Sequence, residues 1–376
     1  MAYFIVICGF IVATYTLLLI IGLVIWLQIK PLPEPVCLPC LKTNITVIVP
    51  FRNEIDQLIN LLESLRFQDI PNNLVHIILV NDHSENVQLD KLKSYLKSYT
   101  LSLELINLVQ DEGKKSAISI GVKQSNTELI ACTDADSIVP PGWLSAIVDI
   151  YEHTMAKFII GQVVYTSDKS TWQNMQQIEF ASLIGSSAVA ASMGLPNMCN
   201  GANMAFAKSA FVEVGGYDGN DKVQSGDDIF LMHKIYNKYP DAVKYLHNRL
   251  AVVETQPSHR FSDFLNQRNR WASKWMKYEN VSTILLAIYI FIVNMSAATL
   301  IILWPFNLYL IGVVLLARWI FEYIFLYAIL RFLNKTLHLK DFIPLILVYP
   351  FYVVFFALSS QVVTYQWKGR KSNIFK

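Results

Sequence analysis

The sequence predicts an α/β domain, a mostly parallel sheet with helices on both faces, set between apolar segments of membrane-spanning length. Three observations carry that prediction. Short β-branched apolar runs alternate with helix-period segments from residue 45 onward, the rhythm of parallel strands joined by crossover helices. Acidic residues follow directly on those runs, at Asp82 and at Asp134-Ala135-Asp136, where open parallel sheets bind their ligands. Residues 3–27 carry no charge, and about 20 apolar residues are enough to cross a hydrocarbon core.

With 376 residues, 53% hydrophobic and 16% charged, the chain is more apolar than soluble proteins, which average about 45–50% apolar and 25% charged. The surplus lies at the two ends. Residues 1–30 read as a membrane anchor rather than a signal peptide. The stretch exceeds an h-region of about 7–15 residues, and no basic n-region or small-residue cleavage site accompanies it. Apolar spans return near 281–303, 306–330 and 342–365, which makes four membrane segments. Lys30, Lys42 and Arg52 follow the first span, so the positive-inside rule places the central domain in the cytoplasm; the expected location is the plasma (inner) membrane. Arg331, Lys335 and Lys340 return to that side after two further crossings. The last segment obeys the rule only if Pro350 breaks it into a re-entrant or interfacial hairpin, leaving Lys368-Gly369-Arg370-Lys371 inside.

Residues 31–42, with Pro31, Pro33 and Pro35, form a stiff extended linker. Within it Cys37-Leu38-Pro39-Cys40 has redox-motif spacing but no helix start and no zinc partners, and the five cysteines form no disulfide framework. Ile45–Val49 is a buried-strand run, and Asn53 is placed to cap a helix bearing Ile55, Leu58, Ile59, Leu62 and Leu65. A second strand, Val75–Val80, ends at Asn81-Asp82. A third, Leu103–Val109, leads to a helix over 114–124. The fourth, Glu128–Cys132, delivers Asp134 and Asp136. No Gly-x-Gly-x-x-Gly follows the first strand and no Walker loop occurs, which argues against a dinucleotide oxidoreductase and a P-loop enzyme. A net charge of +2 gives no nucleic-acid footprint.

The polar clusters supply the chemistry. In an extended strand Asp134 and Asp136 would share one face, about 6–7 Å apart. Mg²⁺ or Mn²⁺ is usually held by one or two carboxylates plus substrate phosphates. Asp227 and Asp228 precede Ile229-Phe230-Leu231 at a helix start, where backbone amides stabilise negative charge. Gln267 and Arg270 are neighbours on a helix. Arg270 can bind phosphate bidentately and Trp271 can stack on a sugar. Around them Phe261, Phe264, Leu265, Trp271, Trp275 and Met276 oppose Arg260, Arg268, Lys274 and Lys277, the pattern of a helix lying in the membrane interface.

The ordered set Asp134-x-Asp136, Asp227-Asp228 and Gln267-x-x-Arg270-Trp271 resembles the membrane-bound family-2 glycosyltransferases, relatives of cellulose, chitin and hyaluronan synthases and of lipid glycosyltransferases. The resemblance covers about residues 43–280. It implies a GT-A fold over 43–257, an amphipathic interface helix over 258–280, a membrane region over 281–366 and a basic tail over 367–376. By the same resemblance Asp136 is the metal ligand, Asp134 contacts nucleotide or metal, and Asp82 contacts the nucleoside. Glu54 matches the first-strand motif. Lys114, in a stretch resembling Gly-Lys-x-x-Ala, meets phosphate, although Ser119 stands where an Asn is usual. Asp228 is the base with Asp227 in support, Gly226-Asp227 replacing a commoner x-Glu. Gln267, Arg270 and Trp271 hold the departing phosphates and the acceptor. Gly201–Phe206 and Gly215–Asp218 look like the acceptor-side loop and the turn before the base.

The implied reaction is inverting transfer from a nucleotide-sugar donor, UDP-linked by expectation, with Mg²⁺ or Mn²⁺. Partners are that donor, a lipid or glycan acceptor and membrane lipids, without nucleic acid. Three spans after the domain offer little channel-forming material, so single transfer to a lipid or lipid-linked acceptor is expected. A processive polysaccharide synthase is the alternative, and a catalytically silent membrane scaffold a second one.

Overall fold

The computed structural model describes residues 1–31, 41–166, 170–219, 226–274 and 280–361, with the backbone of 366–367 and 370–371. The Cys37–Cys40 pair, Trp275, Met276, Lys277, Lys368 and Gly369 lie outside the described residues. In chain order α1 (Ala2–Gln28) precedes β1 (Ile45–Phe51), α2 (Ile55–Arg66), β2 (Val75–Asn81), α3 (Asn86–Leu96), β3 (Ser102–Asn107), α4 (Lys114–Gln124), β4 (Leu129–Cys132) and α5 (Trp143–Thr154). Next come β5 (Phe158–Ile160), β6 (Val163–Tyr165), α6 (Thr171–Ser192), β7 (Met204–Ala207), α7 (Lys208–Glu213), α8 (Asp227–Lys238), β8 (Val243–Tyr245) and β9 (Val253–Thr255). Then follow α9 (Phe261–Ala272), α10 (Val281–Leu303), α11 (Leu308–Phe332), α12 (Leu339–Ser359) and two short strands, β10 (Gln366–Trp367) and β11 (Arg370–Lys371). The chain divides into two compact units, one of Lys30–Thr166 and Ala190–Gln256, the other of Met1–Ile29, Ser167–Val189 and Pro257–Lys376.

The first unit is built on a seven-stranded sheet in the order β3-β2-β1-β4-β7-β5-β8. β1 to β4 are mutually parallel along that order, while β7 runs antiparallel to both β4 and β5. The apolar runs explain the central strands. All seven residues of β1 and all four of β4 are buried, as expected of strands covered on both faces. Register aligns their ends: Phe51 lies beside Asn81, and Asn81 beside Asn107. The carboxyl ends therefore open on one edge, and loops leaving that edge carry the acids.

A buried amide fixes the middle of this unit. Asn203 accepts a bond from Trp143 Nε1 at 2.9 Å and donates to the carbonyls of Gln162 at 2.7 Å and Ala251 at 2.9 Å. One side chain thus ties α5, the β5–β6 connection and the segment before β9 to the entrance of β7.

The second unit contains four helices long and apolar enough to cross a membrane: Ala2–Gln28, Val281–Phe306, Leu308–Phe332 and Leu339–Ser359. Ile5, Cys8 and Val12 pack with Ala297, Leu300, Ile311 and Leu315 into its apolar core. The expectation of a hairpin at Pro350 is not met. α12 is one continuous helix through Pro344 and Pro350, ending at Ser359 rather than near 365. A proline removes one ladder bond, and neighbouring helices can re-satisfy what it frees, so it need not end a packed helix. Within this bundle the buried Arg318 pairs with Glu322 at 3.3 Å and donates to Asn294 at 3.1 Å.

Asn203→Leu should cost at least about 2 kcal/mol, because Trp143 Nε1 and Ala251 O each lose a partner at about 1–3 kcal/mol, while the Gln162 carbonyl keeps Val253 N. A melting temperature within a degree of the parent protein would contradict the pinning role.

Candidate active site

Asparagines and turns shape the sheet edge. Asn81 Nδ2 donates to Asn107 Oδ1 at 2.8 Å, and Asn81 Oδ1 accepts from Ser84 N at 2.9 Å. Asn53 does not cap α2 as expected. Glu54 holds that position without a side-chain bond to the helix. Asn53 instead takes a left-handed φ of 55° and accepts from Glu85 N at 2.9 Å, linking the loops after β1 and β2. Left-handed backbone suits Asn better than most residues, and here that conformation sends its amide across to the next loop. Beside it Asp82 is buried, its amide donating to Phe51 O at 2.9 Å.

Asp134 and Asp136 are not in an extended strand. β4 stops at Cys132, and Ser137 N bonds back to Asp134 O at 3.1 Å, so the two acids occupy a hydrogen-bonded turn. The shared-face geometry assumed for a strand therefore does not apply. The turn is anchored by Ile138 N to Glu254 O at 2.8 Å, a bridge to β9 that ends the strand direction.

Lys114, the first residue of α4, gathers the acids. Its ammonium lies 2.6 Å from Asp134 Oδ1 and 3.0 Å from Asp227 Oδ2. Burial alone would lower its pKa, but Asp134, Asp227 and Asp228 more than offset that and hold it above the ordinary ammonium range. Asp228, next along α8, accepts from Ile229 N at 2.8 Å and from Gly201 N at 3.2 Å. Gly201 leaves room for the bridge: a Cβ there would sit 2.6 Å from Lys114 Nζ and 2.9 Å from Asp227 Oδ2, so one of those side-chain ends would have to shift. Gly226, the N-cap of α8, adopts a left-handed φ of 84° that aims both aspartates from the helix start. Of the residues singled out from sequence, the structure thus brings together Lys114, Asp134, Asp227 and Asp228. Glu54 and Asp136 stand half-buried on the loops after β1 and β4. Sequence reasoning did not anticipate the lysine bridge, although Lys114 at a helix start and the glycine at 201 were both visible.

Gln267, Arg270 and Trp271 lie on α9, in the unit that holds the membrane-length helices. Gln267, Arg270 and Trp271 are half-buried. The amphipathic reading needs one correction: Arg268 and Lys274, expected on the polar face, are 3% and 7% exposed. Arg268 is buried because Glu179 of α6 supplies a counter-charge inside the unit.

The donor set near Asp134 suits a hard divalent cation. Its acids offer oxygen alone, and the Thr133 and Ser137 hydroxyls flanking the turn are buried without a hydrogen-bond partner among the described residues. No group of three or more His, Cys, Asp or Glu forms an all-protein metal cage among the described residues. Mg²⁺-type sites do not need one, since substrate phosphates complete the shell.

A mostly parallel sheet with acids on its carboxyl edge, joined in one chain to membrane-length helices, defines a GT-A-like protein. Residues 46–215 match the description Glycosyl transferase family 2. It is 26% identical over 236 residues to a poly-beta-1,6-N-acetyl-D-glucosamine synthase of Staphylococcus epidermidis, covering 61% of this chain and 54% of that protein. A poly-beta-1,6-N-acetyl-D-glucosamine synthase of Staphylococcus aureus is 26% identical over 198 residues, 52% of this chain and 46% of that one. The chain spans about half the length of the curated relatives it matches. The solved structure of a mannosyltransferase from Pyrobaculum calidifontis, in complex with GDP-Man and Mn²⁺, has a TM-score of 0.55 at 15% identity, covering 94% of this chain and 98% of that one. That likeness shows the fold.

Removing the lysine should expose how the site is balanced. Lys114→Met leaves the 12%-exposed Asp227 carboxylate and the 37%-exposed Asp134 carboxylate uncompensated and should lower stability by less than the about 3–5 kcal/mol of a fully buried pair. Adding Asp227→Asn to it should recover part of the loss; strictly additive losses on thermal melting would count against the bridge.

Two histidines of this unit set a pH dependence. Burial pulls both His233 and His247 down to about 4, with the Pro196 carbonyl and Asp228 opposing it for His233 and Arg249 adding to it for His247. Their unfolded value is about 6.5. The folded state therefore resists protons that the unfolded chain accepts, and stability is complete above about 6.5 and lost as pH falls toward about 4. The melting temperature of extracted protein should drop over that window, and His233→Gln with His247→Gln should flatten the drop.

Proposed function

We propose that this chain is an inverting, divalent-metal-dependent glycosyltransferase that moves a sugar from a nucleoside-diphosphate donor onto a growing glycan, with its catalytic unit on the cytoplasmic side of the plasma membrane. The observation that carries the reading is the lysine bridge. Lys114 ties Asp134, on the loop after β4, to Asp227 at the start of α8. Donor-side and acceptor-side acids thereby form one constellation rather than scattered caps.

Asp228 is the base. Two backbone N–H groups hold its carboxylate in place, and a base must lie within hydrogen-bond reach of the proton it takes. It takes the proton of the attacking acceptor hydroxyl, whose oxygen then displaces the diphosphate in line and inverts the anomeric carbon. Asp227, paired with Lys114, supports that carboxylate, and Lys114 offers its ammonium to the departing phosphates. Asp82 and Glu54 serve the nucleoside side of the donor. When bound, Mg²⁺ or Mn²⁺ held by Asp136 and Asp134 supplies positive charge against the leaving diphosphate. The roles of Gln267 and Arg270 on phosphate and of Trp271 on the acceptor rest on the family resemblance alone.

Polymerisation is favoured over the single lipid transfer expected from the number of spans, because the staphylococcal relatives are named as polysaccharide synthases. UDP-sugars are the first donors to try, and lipids surrounding the apolar helices are natural partners.

Lipid-reconstituted protein incubated with UDP- or GDP-sugars and Mn²⁺ should yield a ladder of products on sizing. One added sugar on a lipid would replace the polymer reading with single transfer. Asp228→Asn should lower turnover by about 10²–10⁴-fold while nucleotide binding persists; unchanged turnover would remove the assigned base.

A further inference from the structure

α9 carries the Gln267-x-x-Arg270-Trp271 motif, yet the residue it buries most deeply is Arg268, at 3% exposure. Every face of that guanidinium is engaged. Its Nη2 forms an ion pair with Glu179 Oε2 of α6. Its Nε donates to the Tyr352 hydroxyl of α12 at 2.9 Å, and that hydroxyl donates to Glu179 Oε1 at 3.1 Å, which closes a ring of three side chains. Its Nη1 donates to Gln267 Oε1 at 2.6 Å. The guanidinium carbon lies 4.4 Å from the centre of the Trp271 ring and 4.7 Å from that of Phe264.

We infer that Arg268 is a positioning residue for glycosyl transfer, holding Gln267 and Trp271 in one arrangement through Glu179 and Tyr352. The inference rests on the proposed function, and it assigns to Arg268 a task that the motif itself does not name. Burying a charge costs several kcal/mol unless it is paired and hydrogen-bonded. Arg268 has both, and two of the groups it spends contacts on belong to the motif. The bond to Gln267 Oε1 settles which end of that amide faces inward. The stack on Trp271 fixes the plane of the ring, which also packs on Phe180 at 5.8 Å. α6 holds the approach to the helix as well, since Gln176 accepts from Ser258 N at 3.0 Å and donates to Ser258 O at 2.9 Å. Lysine cannot replace this residue. It keeps the charge but lacks the planar fork and the flat face that reach Tyr352, Gln267 and Trp271 together.

The test is a mutant cycle on lipid-reconstituted protein with sugar transfer as one readout. Displacements near 1 Å can cost about 10²-fold, so Arg268→Lys should lower kcat by roughly 10²-fold. Gln267→Ala should then cost little more in the Arg268→Lys background than Arg268→Lys alone, because groups acting as a unit are not additive. Tyr352→Phe, a milder change that keeps the ion pair, should lower kcat about three- to tenfold; it serves if Arg268→Lys does not fold. Emission of the Trp271 ring, taken as the difference between parent and Trp271→Phe, should shift in Arg268→Lys whether or not turnover is measured. Multiplicative losses from Arg268→Lys and Gln267→Ala, or kcat within twofold of the parent in either Arg268→Lys or Tyr352→Phe, would overturn the inference while leaving the function intact. A parent protein that transfers no sugar from any donor, yet shows the emission shift, would instead refute the functional reading, and the positioning role for transfer with it.

Discussion

The ammonium of Lys114 is the interaction on which the carboxyl edge of the sheet depends. Asp134 leaves a parallel strand and Asp227 begins a helix, and without a cation between them two carboxylates would repel across a partly buried space. Like charges at 4 Å interact by about 4 kcal/mol at an effective dielectric of 20, enough to push the β4 loop and α8 apart. The lysine reverses the sign. It can do so because Gly113 takes a left-handed φ of 93° just before α4 and because no side chain at Gly201 blocks the approach. Charge balance, a turn residue and an absent Cβ are therefore one constraint.

The sheet supplies the second requirement, that loops from different strands end level. Parallel register between β1, β2 and β3 brings Phe51, Asn81 and Asn107 side by side, and the asparagine bonds across that line stiffen it. The edge is rigid where the chain is buried on both faces and polar only where it emerges. That division lets one short segment serve core packing at Val49 and ligand chemistry a few residues later.

Legibility in the sequence followed the strength of local patterns. β1 to β4 and α4 were readable because apolar runs and helical spacing persist over several residues, and α4 begins and ends where its pattern does. Strands of three or four residues, such as β5, β8 and β9, fall below any detectable period, and β7 joins by antiparallel pairing across long chain separations. The turn at Asp134 was hidden because the bridge that bends it comes from Glu254, far along the chain. Asn53 resembled a cap since its competing partner, Glu85, lies beyond the next strand. α12 ignored two prolines because packing, not propensity, maintains a helix among other apolar helices.

Arg268 and Arg318 show why composition misleads about charge in the unit of apolar helices. Arg268 reads as a polar-face cation of an interface helix and Arg318 falls inside the apolar span expected over 306–330, and both are buried. Arg318 pairs with Glu322 on its own helix and with Asn294 on the next, contacts that hold α10 and α11 in register and touch no motif residue. Arg268 reaches three elements and two motif side chains. The difference lies in how the partners are distributed. A charge neutralised within its own helix stabilises an arrangement of helices, whereas one neutralised by distant elements transmits the positions of those elements to the residues beside it. That is why a position lying between two named motif residues can govern them without meeting any substrate.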